Sequence, residues 1–318
     1  MSTLQEYVEQ IENLGMYRRD GEYAPYKPCL LLTIIQLIEQ GDIRENQIQL
    51  SPNLIDAFNK YTAKFPNWDG KIPNPFYYLK NDGFWYLYPN VNRETQLNEQ
   101  SGRIPSSIRR LQELIAYAYL DEPLFNFLIQ SHEREIIRQT IIDKYFPDCR
   151  QAIESVIREE QQIGEHRQLL IQFAEHPFSY QVRSEPVEER NPIRGTAFRR
   201  EIMRWYNYTC AVCRLRVVTE DGKSITDAAH IIPFRISYKD DIRNGISLCK
   251  LHHWAFDEGL ISVNERYKVR VSKIISEEGP EEQMFRNLRN RKILLPQDRI
   301  LYPAQEALVW HRENRFRE

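Results

Sequence analysis

Three short stretches decide the reading of this chain. They are Tyr208-Thr209-Cys210-Ala211-Val212-Cys213, then Asp227-Ala228-Ala229-His230-Ile231-Ile232-Pro233, then Asn244-Gly245-Ile246-Ser247-Leu248-Cys249-Lys250-Leu251-His252-His253-Trp254-Ala255-Phe256-Asp257. Cys210 and Cys213 form a C-x-x-C pair, and Cys249 and His252 a C-x-x-H pair. Two such pairs fill the four positions of tetrahedral Zn²⁺ and leave none open, which is the signature of a structural staple. If zinc accounts for those four residues, His230 and His253 are left over.

The rest of the chain sets bounds. It has 318 residues, 42% hydrophobic and 28% charged, with a mean hydropathy of −0.60. That is ordinary for a globular protein and too apolar for global disorder. The longest apolar run, Cys29 to Ile35, is far shorter than the roughly 18 residues a membrane span requires. Met1 to Glu6 has neither a basic region nor an apolar core, so no secretory signal is expected and the location is read as cytoplasmic. Three of the five cysteines lie in the stretches above, so metal and not disulfides is the expected use; Cys29 and Cys149 read as plain thiols.

The net charge of −2 says nothing for a polyanion, but its distribution does. Residues 191–318 carry 23 Lys and Arg against 17 Asp and Glu, whereas residues 1–190 are acidic.

Along the chain, residues 2–14 read as an amphipathic helix, and Pro28 opens an apolar helix from Cys29 to Gln40 that Gly41 stops. Ser51 is the expected N-cap of a helix over Pro52 to Tyr61. Asn81-Asp82-Gly83 reads as a turn between two aromatic, strand-like runs. Helical patterns cover Ser106 to Tyr119 and Pro123 to Tyr145, and continue to about Phe173. The charged, proline-containing stretch Arg183 to Pro192 has linker composition. The domain reading is therefore 1–175, a linker over 176–195, and 196–318.

The order and interlocking of the two ligand pairs with His230, Asn244 and His253 resemble the HNH, or ββα-metal, nuclease family. A proline follows the first histidine, Asn-Gly leads into the second cysteine pair, and a histidine directly follows the last zinc ligand. The flanks, Ala197-Phe198-Arg199-Arg200 and Leu308-Val309-Trp310-His311-Arg312, are similar to the McrA-type restriction branch. The resemblance implies an α+β protein with a helix-rich N-terminal domain and a zinc-stapled strand–loop–strand–helix nuclease domain. His230 would be the general base on water, His253 would hold one divalent cation, and Asn244 would orient the base without binding metal.

One departure from the family concerns the cation. Many relatives have an Asp or His directly before the catalytic histidine, and here that residue is Ala229. Asp257, four residues after His253 on one helix face, is the first candidate to complete the grip, and Asp227 the second. Asp257 also reads as an ordinary surface carboxylate, and Ala229 leaves a degenerate, inactive site open. So few ligands favour Mn²⁺, Co²⁺ or Ni²⁺ over Mg²⁺. Arg200 and Arg204 before the first cysteine pair, and Arg235, Lys239 and Arg243 after His230, are candidate DNA-backbone contacts or plain solvated charges.

In the first domain, Tyr26-Lys27-Pro28-Cys29-Leu30-Leu31-Leu32, Asn74 to Leu79 and Asp82-Gly83-Phe84-Trp85 resemble the N-terminal domains of McrA-type enzymes. The same aromatics also read as plain core. The resemblance implies recognition of double-stranded DNA, plain or modified. The expected activity is thus a restriction-type HNH endonuclease, working as a homodimer if it cuts both strands. The alternatives are an inactive zinc-stabilised DNA-binding protein and an RNA- or structure-specific HNH nuclease.

Overall fold

The computed structural model describes residues 3–99, 107–180, 192–237 and 241–318. The architecture is α+β, rich in helices, with small two-stranded sheets. It forms two compact units, residues 1–161 with 220–223, and residues 162–219 with 224–318.

The first unit is built from α1 (Leu4–Glu12), β1 (Arg18–Arg19), β2 (Glu22–Tyr23), α2 (Tyr26–Glu39), α3 (Pro52–Thr62), α4 (Pro73–Tyr78), β3 (Trp85–Pro89), α5 (Glu94–Glu99), α6 (Ile108–Leu114), β4 (Ile115–Leu120), α7 (Glu122–Ile129) and α8 (Ser131–Tyr145), and it takes the first half of α9 (Arg150–Ala174). A capping box between Thr3 and Glu6 starts α1, and the Ser51 hydroxyl accepts from the Leu54 N–H to start α3 behind Pro52. Every residue of α2 from Lys27 to Ile38 is buried, as an all-round apolar helix requires. It begins two residues ahead of Pro28, which sits in the first turn where a missing N–H leaves no bond unmade.

Two local expectations are corrected. The segment Pro73–Tyr78 is a helix, because Pro73 and Pro75 favour a helical first turn, and Gly83 (φ +89°) then reverses the chain into β3. Residues 115–120, expected to continue a helix, are β4, which pairs antiparallel with β3. Tyr86 faces Tyr119 and Tyr88 faces Tyr117 across that ladder, with ring centroids 5.2 and 4.7 Å apart. Each such cross-strand pair contributes roughly 0.2–1 kcal/mol. Tyr86 and Tyr88 are exposed, whereas Phe76, Tyr77, Phe84 and Trp85 are core.

The second unit takes the end of α9, so residues 162–174 pack with it, followed by α10 (Pro192–Trp205), β5 (Thr226–His230), α11 (Phe234–Ser237), β6 (Gly245–Cys249), α12 (Lys250–Asp257), β7 (Ile261–Val263), β8 (Val269–Val271) and α13 (Gln305–Asn314). Residues 181–191, most of the stretch read as a linker, lie outside the described residues. β5 and β6 pair antiparallel from Thr226–Cys249 to His230–Gly245, and α12 follows β6 directly. Helix α10 lies close over this hairpin. A Cβ on Gly245 would stand 2.3 Å from Ile202 Cδ1 and 2.7 Å from Phe198 Cζ, so only glycine fits. Beneath α10, the Glu201 carboxylate is fully buried and accepts from Arg167 Nε at 2.5 Å and Trp205 Nε1 at 3.0 Å.

Candidate metal-dependent active site

The two ligand pairs converge. Cys210, Cys213, Cys249 and His252 bring their donor atoms within 4.8 Å of one another. Cys213 Sγ lies 3.9 Å from Cys249 Sγ, and His252 Nδ1 lies 3.0 Å from Cys249 Sγ and 3.7 Å from Cys210 Sγ. A tetrahedron with Zn–S bonds of about 2.3 Å has edges of about 3.8 Å, so the spacing fits zinc. Backbone bonds make the knuckle: Cys210 N donates to Leu215 O, and Arg214, at φ +65°, donates to Cys210 O. Burial opposes charge on His252, yet the Cys210 and Cys249 sulfurs hold its imidazole up to about 9. Contacts with Cys213 and Cys249 hold the Cys210 thiol well below its ordinary value. The same contacts push the Cys213 thiol up, so the cluster holds a thiolate at Cys210 and draws positive charge to His252, as a cation site does.

His230 ends β5, half-buried, with its ring stacked on Phe198 and Phe234 tilted 6.0 Å away. Successive strand residues face opposite ways, so Asp227 and Ala229 point away from the face that carries His230. Ala229 is fully buried and is a core position in this chain. The Asp227 carboxylate accepts from Arg199 Nε at 2.7 Å and from the Ala228 N–H at 2.9 Å. Asn244 is buried, and its carboxamide closes a two-bond ring with one residue: Ile232 N–H donates to Oδ1 at 2.8 Å and Nδ2 donates to Ile232 O at 2.9 Å. A third bond runs from Ile231 N–H to Asn244 O at 2.9 Å. Both polar atoms of the side chain are thereby occupied by the segment that follows His230.

His253 projects from the first turns of α12, with Nε2 3.5 Å from Asp257 Oδ2. Neighbouring ligands in an octahedral shell of about 2.1 Å radius are about 3 Å apart, so the pair is within reach of one shared ion. Among the described residues, no group of three His, Cys, Asp or Glu side chains outside the Cys/His cluster lies close enough to share an ion. Desolvation raises the Asp257 carboxyl above its ordinary value, while His253, Arg315 and His230 pull it back. Of these charges, that of His253 is in contact range of the carboxylate.

The basic candidates divide. Arg235 is exposed on α11. Arg204 is half-buried, 3.7 Å from Glu201 and over the Trp205 ring. Arg243 is engaged within its own unit, forking onto Asp241 at 3.0 and 2.7 Å and donating to Phe173 O at 3.0 Å. Arg200 is half-buried on α10, and Lys239 lies outside the described residues. His311 is buried and neutral: it contacts Ser262 Oγ at 2.9 Å and Phe256 O at 3.0 Å and stacks on Phe256. Sequence reasoning quoted Phe198 in the flank Ala197 to Arg200 but gave it no place at the site, since its stacking on His230 depends on how α10 packs on the hairpin.

Residues 210–264 match the model of the HNH endonuclease family. The chain carries an HNH domain. No curated protein matches the chain. Among solved structures, a modification-dependent TagI restriction endonuclease is similar at 20% identity over 39% of this chain, with a TM-score of 0.29. The chain spans 39% of that protein's length, and so partial a likeness says nothing of target or reaction. No helix among the described residues is long and apolar enough to cross a membrane.

Proposed function

We propose that this chain is a restriction-type endonuclease that hydrolyses DNA phosphodiester bonds at its HNH domain, with the first unit directing it to particular or modified DNA. The observation that carries the reading is the His253–Asp257 pair, 3.5 Å apart on the helix that follows the β5–β6 hairpin, beside a separate, closed Cys/His cluster. His230 accepts a proton from the attacking water as its oxygen bonds to phosphorus and the bond to the leaving sugar oxygen breaks. Stacking on Phe198 holds its ring, and Asn244 fixes the chain just beyond it. His253 and Asp257 would hold the divalent cation. That ion, when bound, supplies positive charge at the phosphate and leaving oxygen. Arg235 and the half-buried Arg200 are the basic side chains best suited to the DNA backbone. In the first unit, the tyrosine face of β3 and β4 is a surface of the kind that stacks on bases.

Cutting both strands calls for two copies of the chain, one per strand. The test is to offer supercoiled plasmid, single-stranded DNA and RNA with Mg²⁺, Mn²⁺, Co²⁺ or Ni²⁺, using DNA from sources that differ in modification. Nicking or linearising of duplex DNA in a modification-dependent way supports the reading. Cleavage of RNA alone, or binding without cleavage, refutes it.

A further inference from the structure

We propose that the basic surface formed by Arg214, Lys292 and Lys268, with Arg216 and Arg291 at its edges, binds the backbone of duplex DNA at phosphates other than the scissile one. The choice of DNA as occupant rests on the nuclease reading above. The surface is a second set of cations beside Arg200 and Arg235, and Lys268, Arg291 and Lys292 lie outside the matched segment 210–264.

Three chain segments lie side by side here. Residues 267–269 and 291–293 form an antiparallel bridge, in which Val269 N donates to Arg291 O and Ile293 N to Tyr267 O, both at 2.9 Å. Those bonds flank Lys268 and Lys292 and leave them a non-hydrogen-bonded pair, the arrangement that brings facing residues closest, about 4.5 Å at Cα. Val269 and Ile293 are buried, so the alternate residues Lys268 and Lys292 face outward. The cysteine knuckle borders the other side. Leu294 N donates to Ala211 O at 2.8 Å, and Arg214 Nη2 donates to Lys292 O at 3.2 Å. Arg216 is held by its Nε on Asn207 O at 3.0 Å. Lys268 is half-buried, and the other four cations are exposed.

Two like charges facing each other across a bridge are destabilising. Among the described residues, none of the five cations forms an ion pair with a carboxylate. Arg270 and Arg286 of the same unit do have such partners, in Glu318 and Glu281. A row of unneutralised cations across three segments is relieved by an anion with repeated, spaced charges, and a duplex carries one charge per roughly 1.7 Å of its axis. The surface and the HNH site also share an anchor. Arg214 follows Cys213 and His253 follows His252, and the donor atoms of Cys213 and His252 lie within 4.8 Å of one another. A duplex seated at His253 thus has the knuckle beside it.

The experiment titrates zinc-loaded full-length protein with a short fluorescent duplex over a series of salt concentrations, without added divalent metal. Wild type is compared with Lys268→Ala/Lys292→Ala, with Arg214→Ala, and with Arg109→Ala, which removes an exposed arginine of the first unit already paired with Glu113. The double variant should bind about tenfold more weakly, and the slope of log affinity against log salt should become shallower by about two, one per lost phosphate contact. Arg214→Ala should change the slope by about one, and Arg109→Ala should match wild type. The thermal midpoint of the double variant should hold or rise, because a repulsion is removed. Should it fail to fold, Lys268→Gln/Lys292→Gln carries the same comparison. Wild-type affinity and slope in the double variant, or a loss no larger than that of Arg109→Ala, would overturn the proposal. A wild type that binds the duplex as described but cuts nothing removes the nuclease reading and leaves this surface. Variants that bind like wild type, beside a wild type that cuts, remove the surface alone, and a wild type that binds no duplex removes both.

Discussion

The imidazole of His230 lies flat on the ring of Phe198, with centroids 4.0 Å apart and planes within 8° of parallel. Phe198 comes from α10, and its ring also closes over Gly245, the residue opposite His230 in the ladder. The orientation of the His230 ring is thereby set by a residue that has no polar chemistry. Phe198→Leu keeps most of the volume but removes the stacking surface. It is expected to fold, with an activity loss of about tenfold from misorientation alone. Rate measurements against DNA affinity check this, and an unchanged rate means that the strand and Asn244 suffice.

Zinc is expected at one ion per chain in the Cys210, Cys213, Cys249 and His252 cluster. Removing it should unfold the HNH domain and not merely slow it, because the ion's binding energy is part of the folding energy. Cys249→Ser is the sharper variant, since Cys249 is buried at the junction of β6 and α12. Elemental analysis and the thermal midpoint with and without chelator are the measurements. A folded, zinc-free protein contradicts the assignment.

The two acidic candidates for the cation separate on geometry. Asp257 faces His253 across one helical turn, whereas Asp227 sits on the far face of β5 and is taken by Arg199. Asp257→Ala should raise the metal concentration for half-maximal cleavage by about tenfold or more, and Asp227→Ala should leave it unchanged. Mn²⁺, Co²⁺ or Ni²⁺ should outperform Mg²⁺, since imidazole suits them better. A shift in Asp227→Ala with none in Asp257→Ala reverses the choice.

Burial, with Arg315 and Arg312 nearby, lowers the His311 imidazole to about 4 from its ordinary 6.5. The unfolded chain therefore binds a proton here over a range in which the folded chain does not. Stability from this group is full above about pH 6.5 and is lost as the pH falls from there toward 4. Between pH 7 and pH 5 the loss is about 2 kcal/mol. His311→Gln should lose less stability over that interval than wild type, as read from denaturant midpoints at the two pH values. Equal slopes contradict a buried neutral His311.

What the sequence made legible was what lies close along the chain. The ligand pairs sit three residues apart, and they converge because a hairpin and one helical turn bring Cys249 and His252 to the knuckle. Ser51, Pro52 and Gly41 marked helix ends through local backbone preferences. Contacts made across long intervals were not legible. Ile115 to Leu120 carries on the apolar spacing of α6, and only its pairing with β3, some thirty residues earlier, makes it a strand. Arg243 reads in the sequence as an exposed basic residue, and its bonds to Phe173 O, seventy residues back, and to Asp241 come only with the fold.

The central claim is that His230 activates water in a metal-dependent DNA nuclease, and one comparison tests it most directly. Zinc-loaded wild type and His230→Ala, with matched thermal midpoints and DNA affinity, are incubated with plasmid and Mn²⁺. The wild type should cut, and His230→Ala should be slower by at least about 100-fold. Equal cleavage by the two proteins would contradict the account, as would a folded, zinc-loaded wild type that leaves every duplex DNA intact with each divalent metal.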